Sequence, residues 1–163
     1  MPHTDWLAGY GAELQEQAEQ LRATGELRER LEKRYPAANP VTDNARLYAY
    51  AMDLKREYLS QSAPLHKVRY SDKVATLHRA LGLHSYVARV QGNKLKRKNE
   101  LLVASLFKEL PPEFLRMVVV HELAHLRHKD HDKAFYRLCE HMEPEYHRYE
   151  LDLRLWLYAR DVK

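Results

Sequence analysis

The residues most capable of chemistry lie together in His121-Glu122-Leu123-Ala124-His125. On a helix, at about 100° per residue, the two histidines fall about 40° apart and one turn from each other. Two imidazoles so placed can hold one Zn²⁺ between them, and Glu122 projects beside the open coordination position. Leu115, Val119, Leu123 and Leu126 form a separate stripe, so the helix is expected to have a core face and a distinct chemical face. Val118-Val119-Val120 leads into the motif and marks the helix as largely buried. Burying three polar groups without a common purpose is costly. The plain alternative is that these are exposed histidines of a chain that has 10 of them, and the apolar lead-in fits that less well.

A catalytic zinc takes three protein ligands and a water. His128 shares the face but lies about 4.5 Å further along the helix axis than His125, out of reach of the ion. His131 follows Lys129-Asp130, which supply turn chemistry, and Asp132 can then cap a helix containing Phe135, Leu138 and Cys139. His131 is therefore the favoured third ligand, with Glu140, Glu143 and Glu145 the alternatives for a two-His, one-Glu site. Zinc lowers the pKa of its water toward ~7. Glu122 would take the water proton and return it to the leaving group. A developing oxyanion calls for another donor, for which Tyr146, His147 and Tyr149 are downstream candidates.

The elements that must position these residues can be read in outline. Residues 10–34 read as helix, with Leu14, Ala18, Leu21, Leu27 and Leu31 at helical spacing and Thr24-Gly25 as a cap or kink. A loop covers residues 35–40. Thr42 is the expected N-cap of a helix over about 43–60, lined by Leu47, Ala51, Leu54 and Tyr58. Residues 66–70, 86–91 and 101–107 read as strands, residues 74–81 fit strand or helix, and Gly92-Asn93 marks a turn. A small antiparallel or mixed sheet is the natural product. The edge at 101–107 could take a peptide as an added strand. Pro112 starts the motif helix, where its missing N–H is not needed. Another helix starts after Asp132, and a last one follows Pro144. Leu151, Leu153, Leu155 and Leu157 alternate as in a strand, but length, the lack of glycine and the Glu150–Arg154 spacing favour helix.

With 163 residues, 45% hydrophobic and 31% charged, the chain has the composition of an ordinary globular protein. The single cysteine, Cys139, excludes an internal disulfide and suits a buried small apolar role in a reducing compartment. No run approaches the ~18 apolar residues of a membrane span, and residues 1–5 lack the basic start of a signal peptide, so a cytoplasmic location without a membrane partner is expected. The net charge of +4 permits contact with nucleic acid without arguing for it. Lys94, Lys96, Arg97 and Lys98 make a solvated hairpin loop in the plain reading and a phosphate contact in the functional one.

His-Glu-Leu-Ala-His-Leu from His121, followed by His131-Asp132 and Phe135-Tyr136, resembles the YgjP-like metallopeptidase family, which is related to the WLM and SprT-type zinc proteases. The likeness extends back through Arg89-Val90-Gln91-Gly92 and Leu106-Phe107 to Pro111. It extends forward through residues 138–144, Tyr146-His147 and Asp152-Leu153-Arg154, covering roughly residues 64–160. The resemblance implies a compact α+β, zincin-like fold, with a small sheet over the active-site helix and the third ligand heading the next one. On that pattern the domain occupies residues 63–163 behind an N-terminal helical segment, 1–62. His121, His125 and His131 carry over as zinc ligands, and Glu122 as the catalytic residue. The His125–His131 spacing is also that of the metzincins, but their turn glycine is replaced here by His128. The expected function is zinc-dependent hydrolysis of a peptide or protein substrate. The alternatives are a narrow-substrate hydrolase and a zinc-binding module associated with nucleic acid. Glu122 argues against the last, because a structural zinc has no use for a carboxylate there and usually takes cysteines.

Overall fold

The computed structural model describes residues 5–73 and 100–162. The strand expected at 86–91, the element at 74–81, the Gly92-Asn93 turn and the basic run from Lys94 to Lys98 lie outside the described residues. The fold is α+β. The described residues form two strands, six α-helices and a 3₁₀ turn, divided between two units: residues 1–37 with 147–163, and residues 38–146.

In the first unit, α1 (Ala12–Ala23) and α2 (Glu26–Arg34) are separated at Gly25, which sits at φ 81°. A residue without a Cβ adopts that left-handed conformation at little cost, so the helix expected over 10–34 breaks where Thr24-Gly25 falls. The last helix, α6 (Tyr146–Ala159), supplies the other side of this unit from His147 onward. It is helical despite its alternating leucines. Leu153, Trp156 and Leu157 are buried at helical spacing, and Glu150 lies 3.8 Å from Arg154. Trp6 is buried and donates its indole N–H to the Val162 carbonyl at 2.7 Å, while its own carbonyl accepts from Arg154 at 3.1 Å.

The second unit contains α3 (Asn44–Tyr58), β1 (Lys67–Ser71), β2 (Glu100–Ala104), a 3₁₀ turn (Ser105–Glu109), α4 (Pro112–Ala124) and α5 (Lys133–Met142). The cap of α3 is Asp43, not Thr42: its carboxylate accepts the Arg46 N–H at 2.8 Å. Both residues are short polar acceptors, and the choice depends on where the backbone first turns. The strands pair in parallel, from Lys67 opposite Glu100 to Ser71 opposite Ala104. Parallel pairing needs a crossover, not a hairpin, and residue alternation is silent on that point. The strand expected over 101–107 stops at Ala104. A 3₁₀ turn then buries Phe107 completely, and the Phe107 carbonyl accepts from the Asn39 amide at 3.0 Å.

Helix α4 starts at Pro112, as its place in the sequence predicts. It packs against α3, β2, the 3₁₀ turn and α5. Nine of its 13 residues are buried, so it is enclosed around most of its circumference and does not have a single core stripe. Val118, Val119 and Val120 are each at most 1% exposed. A β-branched run is a poor helix former by itself, and burial on all sides outweighs that preference. Among the described residues, no helix is long and apolar enough to cross a membrane.

Candidate metal centre

The carboxyl end of α4 carries the site. His121 lies in its last turn, buried to 4% exposure, with the half-buried Glu122 next to it. His125 caps the helix in an αR conformation. Tight hydrogen bonds then turn the chain away: Leu126 N–H donates to the Leu123 carbonyl at 3.0 Å, and both Arg127 and His128 donate to that of Ala124. This early stop keeps His128 from stacking one turn beyond His125 and returns the chain within a few residues. His131 then stands just before α5, whose cap is Asp132 as expected, accepting the Phe135 N–H at 3.0 Å.

Ring nitrogens of His121, His125 and His131 lie within 4.8 Å of one another, a group that could hold a metal ion. Nε2 of His125 and Nε2 of His131 are 3.1 Å apart. Two nitrogens bound to one ion at about 2.1 Å and the tetrahedral angle would stand about 3.4 Å apart, so the pair is close to ligand spacing. The tautomer of His125 is set by its neighbour. Its Nδ1 lies 2.9 Å from the His128 carbonyl oxygen, which can only accept, so Nδ1 carries the proton and the lone pair is left on Nε2. His121 Nδ1 meets the hydroxyl of the buried Tyr146 at 2.8 Å. Phe135, fully buried, packs against all three imidazoles with ring centroids 4.6–5.1 Å away. Exposure rises from buried His121 through half-buried His125 to exposed His131.

The other candidates go elsewhere. Glu143 is buried and accepts from Arg116 at 2.7 Å and from the Glu145 N–H at 2.8 Å. Burial works to lower the pKa of the Arg116 guanidinium, but the bond to Glu143 and the nearby Tyr50 outweigh it and raise the pKa overall. Glu140 and Glu145 are exposed side chains outside the histidine group. Tyr146 touches His121, whereas His147 and Tyr149 belong to the other unit, where Tyr149 meets the Tyr35 ring edge-on at 6.2 Å. Sequence reasoning missed the part played by the His128 carbonyl, since any residue has one. It also missed the Phe135 wall and the Tyr146 bond, which depend on tertiary placement.

A family profile described as "YgjP-like, metallopeptidase domain" matches residues 92–155. The chain is also 48% identical over 157 residues to the UTP pyrophosphatase of Escherichia coli (strain K12), covering 96% of this chain and 94% of that protein. No solved structure matches it. With identity at that level over nearly its whole length, and with the three histidines gathered at the end of α4, the chain belongs to the YgjP-like metallopeptidase family.

Proposed function

We propose that this protein is a zinc-dependent hydrolase that cleaves UTP to UMP and pyrophosphate, with His121, His125 and His131 as zinc ligands and Glu122 as the proton-transfer residue. The observation that carries the substrate is the 48% identity to a UTP pyrophosphatase across 96% of the chain, a span well beyond the matched domain. The chemistry is supported by the donor set. Three imidazoles with no thiolate or carboxylate among them suit zinc with an open coordination position. When bound, zinc supplies Lewis acidity and makes water in the site a far stronger acid.

The chain's own residues account for the rest. Glu122 accepts a proton from water as the water oxygen bonds to the α-phosphorus. The bond from that phosphorus to the bridging oxygen breaks, pyrophosphate leaves, and the proton passes to it from Glu122. The site meets solvent on the side of exposed His131, which is where a phosphate chain would approach. Exposed Arg127, Lys129 and Lys133 lie beside it in sequence, set against Asp130 and Asp132. The net charge of +4 is compatible with an anionic substrate.

A second reading, hydrolysis of a peptide bond by the same water and the same Glu122, is favoured by the metallopeptidase description of the matched domain. One experiment separates the two. Metal content is measured on the wild type and on Glu122→Gln, and each protein is offered UTP and an unfolded polypeptide. The expected result is one zinc per chain in both, with pyrophosphate release from UTP reduced about 10²–10⁴-fold in the variant. Cleavage of the polypeptide with UTP left intact would transfer the assignment to the peptidase. Zinc uptake with neither substrate turned over would remove both.

A further inference from the structure

His121 and His125 are held differently at Nδ1, and the difference assigns a task to a residue outside the ligand set. His125 faces a carbonyl oxygen, which leaves one tautomer open to it. His121 faces a hydroxyl, which can donate or accept. If Tyr146 donated, His121 would carry its proton on Nε2 and could not bind a metal there. If Tyr146 accepts, Nδ1–H is satisfied and the Nε2 lone pair is available to the ion. The planes of the two rings differ by 8°, with centroids 6.5 Å apart. The phenol therefore meets the imidazole end to end, along the ring N–H direction, and not across its face.

Tyr146 is itself delivered by a braced turn. Arg116, on the same helix as His121, donates to the Glu143 carboxylate at 2.7 Å and to the Met142 carbonyl at 2.9 Å. The second oxygen of Glu143 accepts the Glu145 N–H, and the Tyr146 N–H donates to the Glu143 carbonyl at 2.9 Å. Helix α4 thus grips the segment from Met142 to Tyr146 at two points, the Arg116 side chain and the His121 ring.

We propose that Tyr146 is a positioning residue of the metal centre: it accepts the Nδ1 proton of His121, fixes the ring with Nε2 toward the ion, and is held in place by the Arg116–Glu143 brace. This rests on the metal-centre reading above. The test is a chelator competition for zinc on the wild type and on Tyr146→Phe, with thermal unfolding of both metal-free proteins alongside. The phenylalanine variant is expected to bind zinc about 10–100-fold more weakly, and Glu143→Gln to bind it more weakly by a smaller factor. A purely structural tyrosine would lower the melting temperature of the metal-free protein and leave zinc affinity within twofold of wild type, which would overturn the proposal. Nitrogen-15 NMR of the zinc-loaded wild type serves if a variant fails to fold: a protonated His121 Nδ1 is expected, and a bare Nδ1 overturns the assignment. Wild-type protein that takes up no zinc overturns the metal-centre reading and this one together. Zinc bound equally by wild type and Tyr146→Phe overturns only the role of Tyr146.

Discussion

Two groups of polar side chains, each built around a buried member, can be compared, one in each unit. In the first, Asp152 is 3% exposed and its Oδ2 accepts from the Tyr35 hydroxyl at 2.5 Å and from Arg34 at 3.0 Å, with Arg148 at 3.9 Å. Burial, then the bond to Asp152 and its charge, push the Tyr35 phenol above its usual pKa range. An acceptor here meets donors, and the group closes on itself. In the second, like meets like: three imidazoles converge, with two Nε2 atoms 3.1 Å apart. Their outer nitrogens are anchored where the structure shows partners, His125 on a carbonyl and His121 on a phenol. Complementary polar groups hold a fold together. Similar ones forced together at a folding cost imply a third party that benefits from both.

The contrast can be broken most severely through Phe135, the apolar wall of the histidine group. Phe135→Ala removes a fully buried ring and is expected to destabilise the metal-free protein by about 3–5 kcal/mol, read by urea or thermal unfolding, and to weaken zinc binding as the three rings lose their common support. Unchanged zinc affinity would mean that the imidazoles are fixed by their hydrogen bonds alone. Asp152→Asn probes the closed group. The expected cost is about 2 kcal/mol, because the charge to which Tyr35 and Arg34 both donate is removed, and half-exposed Arg34 recovers part of its loss from water. Zinc affinity should not change. A shift there would show that the two groups are energetically linked. The mildest probe is Asp132→Ala, which removes the cap of the helix that His131 precedes. About 1 kcal/mol of stability should be lost, with zinc binding weakened less than by Tyr146→Phe.

What the sequence could convey follows the range of each interaction. Pro112, Gly25 and Asp132 act within a turn, and each does what its type and position predict. The convergence of His121, His125 and His131 was legible for the same reason: one turn of helix and one tight reversal bring them together. The parallel pairing of β1 and β2 and the enclosure of α4 depend on partners far away in the chain, and no periodicity records them. The run at 101–107 shows the limit well. Its apolar residues are the same in a strand or in a buried 3₁₀ turn, and the Asn39 bond to the Phe107 carbonyl, from 68 residues away, accompanies the turn. Tyr146 is a similar case: one of 11 tyrosines in the sequence, it becomes distinctive only once its hydroxyl faces an imidazole.

The graded burial of the three histidines ranks the proposed ligands by depth. For an ion held as proposed, exposed His131 is the ligand nearest solvent, half-buried His125 the next and buried His121 the deepest. His131 stands on the short segment between α4 and α5. On the proposed reading the shallowest ligand therefore rests on a few residues of backbone, while the deepest is held by Tyr146 inside the core.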